Sequence, residues 1–411
     1  MRPSEGNVPP RSAASLDQIP ADSAAAVAPP AVCGRQPKLL FLVTEDWYFC
    51  SHRLPVARAA RDAGFAVGVA TRVRDHADAI LREGFALHPL AWRRRGDGLS
   101  GNLRALADIA RLYRVERPDI VHHVALKPAL FGALAARLAF PRRRGRPAQV
   151  AAVMGLGGSG ATWRRPLAWG LRWAARGNRV IVQNPEDRAA LIGFGIAGPR
   201  IALIRGSGVD VGRFTPLPEP AGPGLTVALV GRMLRSKGVL DAVAAVRRLR
   251  EGGLSVDLLL AGGPDPDNAD SLDAAALAAL MATPGVAWLG HVADVREVWA
   301  RAAVAICPSS YGEGVPKALL EAAACARPIV AADMPGCREI VRPGETGLLV
   351  PPRDPVRLAE AIAGLARDPG LRRRMGRSAR ALAEREFADA IVAEQTAALY
   401  RSAMDDRKRA R

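Results

Sequence analysis

Glu313 and Glu321 stand eight residues apart in Pro-Ser-Ser-Tyr-Gly-Glu-Gly-Val-Pro-Lys-Ala-Leu-Leu-Glu, residues 308–321. Gly312 and Gly314 allow a tight turn around the first carboxylate, and Pro316 suits the opening of a helix that carries the second. Upstream, Gly231-Arg232-Met233-Leu234-Arg235-Ser236-Lys237-Gly238 sets two cations, Arg232 and Lys237, between a strand end and a helix start. A helix N-terminus attracts anions through its free N–H groups and its dipole. A diphosphate needs two fixed cations, and its departure from a sugar needs the developing charge neutralised. Each pair taken alone also reads as ordinary surface charge. Both falling in one half of the chain is what makes the pattern specific.

The elements that must position these groups alternate. Lys38–Val43 is an apolar strand, followed by a helix from Leu54, strands near 66–70, 86–90, 119–123, 149–153, 179–182 and 201–204, and helices between them. Pro216–Gly224 is a Pro/Gly linker. A second series begins at strand Thr226–Gly231, and Val304–Cys307 is the buried strand leading into the Glu313 turn. Strands alternating with helices of about ten residues imply right-handed parallel crossovers and doubly wound sheets. The fold class is therefore α/β, with two Rossmann-like domains flanking a cleft, the usual place for a ligand. The expected division is a disordered leader 1–35, a first domain 36–215, the linker 216–224 and a second domain 225–385. A helix 386–402 then crosses back to the first domain, ahead of a basic tail 403–411.

Other motifs carry less. Gly155-Leu156-Gly157-Gly158-Ser159-Gly160 matches the dinucleotide pattern GxGxxG, but it follows about the fifth strand. The strand after it ends in Gln183-Asn184 rather than an acid, so a glycine loop facing the cleft is the better reading. Asp265-Pro266-Asp267 resembles a carboxylate pair for a divalent ion, yet Asn268 and Asp270 make the stretch turn-like. No His/Cys cluster has zinc spacing, and no metal or cofactor is expected.

With these residues in place, the chain resembles the family 4 retaining glycosyltransferases of the GT-B fold, from about residue 38 to 402. The resemblance rests on Gly231-Arg232…Lys237-Gly238, on Glu313…Glu321 as the family's EX7E motif and on Pro335-Gly336-Cys337-Arg338-Glu339. Gly344–Val350 and Gly208-Val209-Asp210…Arg213-Phe214 add to it. Within the family it is most similar to enzymes that build lipid-linked oligosaccharides for capsule, O-antigen or exopolysaccharide. The resemblance implies that Arg232 and Lys237, next to Gly231, hold the donor diphosphate and that Glu321 holds the ribose hydroxyls. It implies that Glu313, with backbone groups of Gly314, Val315 and Pro316, binds the donor sugar. It also implies a nucleoside-diphosphate sugar, UDP-linked, as donor, and retention through an oxocarbenium-like step. A carboxylate accepting two hydroxyls suits both diols.

On the acceptor side, His52-Arg53 reads as the start of the first helix, and His122-His123 ends strand 119–123, with Lys127 just beyond. All are expected at the cleft. Relatives often carry a histidine two residues after the position of His122, where this chain has Val124, and paired glycines where it has Thr44–Phe49.

Charge is uneven. Residues 35–220 hold 30 Lys+Arg against 14 Asp+Glu, and residues 221–411 hold 26 against 23. Clusters at Arg93–Arg95, Arg142–Arg144 with Arg146, and Arg164-Arg165 with Arg172, Arg176 and Arg179 fit an anionic partner. Trp163, Trp169 and Trp173 interleave with these arginines, either as an interfacial helix or as core residues. A lipid-linked saccharide acceptor and peripheral contact with an anionic membrane follow as expectations, at the inner face of the plasma membrane. Nucleic acid is not expected, for want of a recognition motif. No stretch reaches the ~20 apolar residues of a spanning helix. The five cysteines, without a CxxC, read as free thiols in a reducing, cytoplasmic compartment.

Overall fold

The computed structural model describes residues 35–93, 98–142, 145–156 and 164–409. Residues 1–34 of the expected leader, Arg94-Arg95, Arg143-Arg144, Gly157–Gly160 and Trp163 lie outside these described residues.

Two parallel sheets organise the chain. The first has seven strands: β1 (Lys38–Glu45), β2 (Ala66–Arg72), β3 (Ala86–Pro89), β4 (Ile120–Val124), β5 (Ala148–Ala152), β6 (Arg179–Val182) and β7 (Ile201–Leu203), in the order β3-β2-β1-β4-β5-β6-β7. The second has six: β8 (Leu225–Val230), β9 (Val256–Ala261), β10 (Val286–Trp288), β11 (Val304–Cys307), β12 (Ile329–Ala332) and β13 (Gly347–Val350), ordered β10-β9-β8-β11-β12-β13. In both, the order reverses beside the first strand, which opens a crevice at the strands' carboxyl ends.

Alternation along the strands builds a core on each face. In β1, Leu39, Phe41 and Val43 pack with Val56, Phe65 and Tyr400, while Leu40 and Leu42 pack with Ile109, Tyr113 and Ala136. In the second sheet, Val227 and Leu229 face Val246 and Ile362, and Ala228 and Ala305 face Leu319, Leu320 and Leu382. The final helix, Asp389–Arg409, leaves the second domain and lies on the first, where Val392, Tyr400 and Ala403 join its core.

Some elements differ from the sequence reading. A helix Asp46–His52 precedes the helix Leu54–Asp62, so His52 ends one helix and Arg53 is the junction to the next. Pro335–Ile340 is a further short helix. The residues read as a basic tail continue the last helix to Arg409, and Arg407 donates to Asp119 at the foot of β4. The linker is held rather than loose: Arg327 donates to the Pro218 carbonyl and Arg372 pairs with Glu219.

Candidate active site

Lys237 closes a short turn, Arg235–Lys237, after β8. Asp270 fixes that turn by accepting from the Ser236 N–H at 2.9 Å. Gly238 then takes φ +74°, and a Cβ there would stand 2.3 Å from the Pro308 carbonyl oxygen, so only glycine fits. This close approach brings the end of β8 against the end of β11. The Lys237 ammonium donates to both oxygens of Glu313, at 2.7 and 2.6 Å, and Ser309 Oγ donates to the same carboxylate at 3.0 Å. Burial works against the lysine charge, but Glu313 outweighs it, and the Lys237 pKa stands above its usual value. Arg232 donates to Asp265 at 2.5 Å. The two cations expected for one diphosphate are therefore each held by a carboxylate of the protein.

Asp267 is engaged from the other domain, by Arg74 and, at 3.3 Å, by Arg72. Both carboxylates of the Asp265-Pro266-Asp267 loop thus serve arginines. Among the described residues no group of three or more His, Cys, Asp or Glu is arranged to hold a metal ion.

Glu321 lies in the helix Lys317–Ala324, and among the described residues no side chain hydrogen-bonds or ion-pairs with its carboxylate. Burial pushes its pKa up to about 7 against the pull of Lys317 and Arg213. A half-buried carboxylate without a partner is suited to accept hydroxyls from a ligand.

The glycines around Glu313 serve close approach rather than an unusual backbone, since neither Gly312 nor Gly314 has positive φ. A Cβ on Gly314 would lie 1.8 Å from Gln183 Oε1 of the first domain, and that oxygen accepts from the Val315 N–H at 3.0 Å. Gly155, at φ +72°, sits where a Cβ would meet the Gly312 carbonyl at 2.4 Å. Gly336 lies just as close beneath the Gly314 carbonyl, at 2.1 Å from its would-be Cβ. The first N–H groups of the glycine loop, at Gly155 and Leu156, each donate to Asp187 at 3.1 Å, so no phosphate is needed to satisfy them. Lys317 reaches across to the Ser51 carbonyl. The cleft is closed at this level by backbone-scale contacts that glycine alone permits.

Across the cleft, His52 stacks on Tyr48 with ring centroids 4.2 Å apart, and its Nδ1 lies 2.6 Å from Ser51 Oγ. Burial, then Lys317, Arg53 and Lys237, hold its pKa well below the usual histidine value. Arg53 is buried, with its Nη2 against the Met154 sulfur at 3.7 Å.

The expectation for the two histidines of β4 needs correcting. His122 and His123 do not open to the cleft. Strand alternation sends them to opposite faces of the first sheet, and both are buried. His122 Nδ1 lies 2.6 Å from the Tyr400 hydroxyl of the last helix, and His123 Nε2 lies 3.1 Å from the Tyr113 hydroxyl. Burial lowers both pKa values, His123 to about 3. Lys127, the other residue expected here, donates to the Arg93 carbonyl at 2.7 Å and lies over the Trp92 ring.

Gln183, Met154, Lys317 and Ser309 were not singled out from sequence. Gln183 at the end of β6 was the readable hint, because a polar residue at a strand's carboxyl end points into the crevice.

Residues 224–368 match the family described as glycosyl transferases group 1, and residues 38–156 match the glycosyl transferase 4-like family. The chain thus carries a glycosyl transferase 4-like region followed by a glycosyl transferases group 1 region. It is 38% identical to an alpha-maltose-1-phosphate synthase of Mycolicibacterium smegmatis over 215 residues, 50% of this chain and 52% of that protein. The chain thus spans about half the length of the first curated relatives it matches. The putative glycosyltransferase EpsD of Bacillus subtilis is 28% identical over 382 residues, 90% of this chain and 97% of that one. Among solved structures, a glycosyltransferase of Rickettsia africae superposes with a TM-score of 0.74 at 16% identity, covering 90% of this chain and 99% of that one. Anabaena HepE in complex with UDP gives 0.71 at 18% identity, covering 89% and 100%. These likenesses show the GT-B fold.

Proposed function

We propose that this GT4-like protein is a retaining glycosyltransferase. It moves a sugar from a nucleoside diphosphate, with UDP as first choice, to a lipid-carrier-linked saccharide in cell-surface polysaccharide synthesis. The observation that carries the reading is the Lys237–Glu313 contact at 2.6 Å, beside Arg232 and one helical segment from the unpartnered Glu321. In this reading the donor diphosphate takes Arg232 and Lys237 from their internal carboxylates, Glu321 accepts the ribose hydroxyls and Glu313 is freed for the sugar. The bond from the anomeric carbon to the diphosphate oxygen breaks. An acceptor hydroxyl bonds to the same face of that carbon, and its proton passes to the departing phosphate oxygen. Arg232 and Lys237 neutralise the leaving charge, so the reading assigns no metal.

Support for a membrane-borne acceptor comes from the helix Arg164–Ala174. Trp169 is 73% exposed there, with Arg165, Arg172 and Arg176 exposed around it, while Trp173 is covered by Arg137 at 3.8 Å. No helix among the described residues is long and apolar enough to cross a membrane. The reading therefore has the protein held peripherally at the inner face of the plasma membrane. A small soluble acceptor is the second reading, favoured by the similarity to alpha-maltose-1-phosphate synthase.

The test is transfer and donor hydrolysis across a panel of nucleotide sugars with wild type, Lys237→Ala and Glu313→Ala. Loss of both activities in both variants, with circular dichroism unchanged, is the expected outcome. Full activity in either variant overturns the site. Co-sedimentation with anionic vesicles, lost at high salt, favours the lipid-linked acceptor over the soluble one.

A further inference from the structure

Arg53 is 3% exposed, yet among the described residues no carboxylate lies within ion-pair distance of its guanidinium. Its Nε is buried with no hydrogen-bond partner, and its Nη2 meets only the Met154 sulfur at 3.7 Å, a weak acceptor. The Tyr48 hydroxyl meets the same Met154 sulfur at 3.8 Å. Burying a charge is costly unless it is paired; the carboxylate that acts on the adjoining Tyr48, Glu313, is held by Lys237 and not by Arg53. Tyr48, His52 and His122 are all in the field of this guanidinium, and burial keeps each of them neutral. Lys317 and Lys237, the other charges beside His52, are cations. His122 Nε2 is a second buried polar atom without a partner in the same neighbourhood.

The place matters as much as the charge. Met154 packs against Gly314, its Cβ 3.5 Å from where a Gly314 Cβ would be, so one side chain separates Arg53 from the loop that follows Glu313. An anion that displaced the Met154 thioether would sit across the cleft from the donor sugar. The planar guanidinium fork takes two oxygens at once, and the surrounding cations favour an anion carrying about two charges.

We propose that Arg53 is the anchor for a phosphate group of the acceptor, with the Tyr48 hydroxyl as a second donor and Met154 as the side chain that yields to it. The assignment of that phosphate to an acceptor rests on the glycosyl-transfer reading. Binding of the phosphate does not.

The test uses the full chain labelled with 13C-methyl methionine, with the Met154 signal assigned through Met154→Leu. UDP is present at saturation, so that Arg232 and Lys237 are occupied. Inorganic pyrophosphate, glucose 1-phosphate and vesicles carrying a polyprenyl diphosphate are titrated separately, with glucuronate as the carboxylate control. At least one phosphate probe is expected to shift the Met154 signal, with affinity at least tenfold above that of glucuronate. Arg53→Met should abolish saturable binding of that probe while UDP affinity stays within twofold. A response to glucose 1-phosphate but not to the vesicles assigns the phosphate to a soluble sugar, and the reverse assigns it to a lipid carrier. No shift with any phosphate probe, equal response to glucuronate, or unchanged phosphate affinity in Arg53→Met would overturn the proposal. The wild-type Met154 signal decides the matter by itself if Arg53→Met does not fold. Failure of UDP to bind would count against the donor site alone, because the same titration without UDP still reads Arg53.

Discussion

The two walls of the cleft treat charge in opposite ways. On the second domain, Arg232 is matched by Asp265 at 2.5 Å and Lys237 by Glu313 at 2.6 Å. On the first domain, Arg53 is buried without a carboxylate, and the nearby histidines are held neutral. In the proposed reading, a diphosphate arriving at the second domain would exchange one set of ion pairs for another, so its net gain would be smaller than two new pairs would give. An anion arriving at Arg53 meets a charge that has no partner to lose. In the proposed reading, the donor wall is poised for exchange and the acceptor wall for capture.

The strongest way to break this contrast is at the paired wall. Lys237→Ala leaves Glu313 without its cation and the leaving diphosphate without one of its two, and transfer should fall by roughly 10²–10³-fold. Steady-state kinetics on a folded variant checks this, and a fall of less than about threefold would contradict the role. Gly238→Ala should cost about tenfold or more in activity, because a side chain at φ +74° meets the Pro308 carbonyl and displaces Lys237. Its thermal midpoint should drop as well.

Asp265→Asn sharpens the idea of exchange. If Asp265 competes with the diphosphate for Arg232, the variant should bind UDP roughly 3- to 10-fold more tightly, in line with one partly exposed ion pair. Weaker binding would mean that Asp265 positions Arg232 instead. Glu321 gives a pH test. Its folded pKa of about 7 lies above its usual value, so the folded state holds the proton more tightly than the unfolded chain. Stability therefore falls as pH rises from the usual carboxylate range to about 7, while the carboxylate needed for the ribose appears over the upper part of that window. UDP affinity should rise from pH 6 to pH 8 in wild type, and Glu321→Gln should flatten that rise, as read by calorimetry. The smallest effect is expected at the unpaired wall's support. Tyr400→Phe removes the 2.6 Å contact to His122 and should destabilise the fold by ~1 kcal/mol in urea titrations, leaving UDP affinity unchanged.

How much of this could be read from sequence also divides along the cleft. Arg232, Lys237, Glu313 and Glu321 were legible because each sits at a strand end or helix start whose pattern is local. Their partners were less so: Gln183 meets Val315 across 132 residues, and no periodicity encodes that contact. The histidines follow a local rule: neighbouring residues in a strand face opposite sides, so His122 and His123 cannot share the cleft. The helix Asp46–His52 was missed because seven residues rich in aromatic and polar side chains show no apolar stripe. The last helix outran its expected end because Arg407, read as solvated tail, finds Asp119 in the folded chain. The strand order and the two-domain plan needed only alternation and the Pro/Gly linker.

The most direct test of the donor site is calorimetric titration of UDP, GDP and ADP into wild type and Lys237→Ala at about pH 8. The expected result is that at least one nucleoside diphosphate binds wild type and loses about tenfold or more in affinity in the variant. Equal affinity in the two proteins, or no binding to either, would contradict the assignment of Arg232, Lys237, Glu313 and Glu321 to one nucleotide-sugar site.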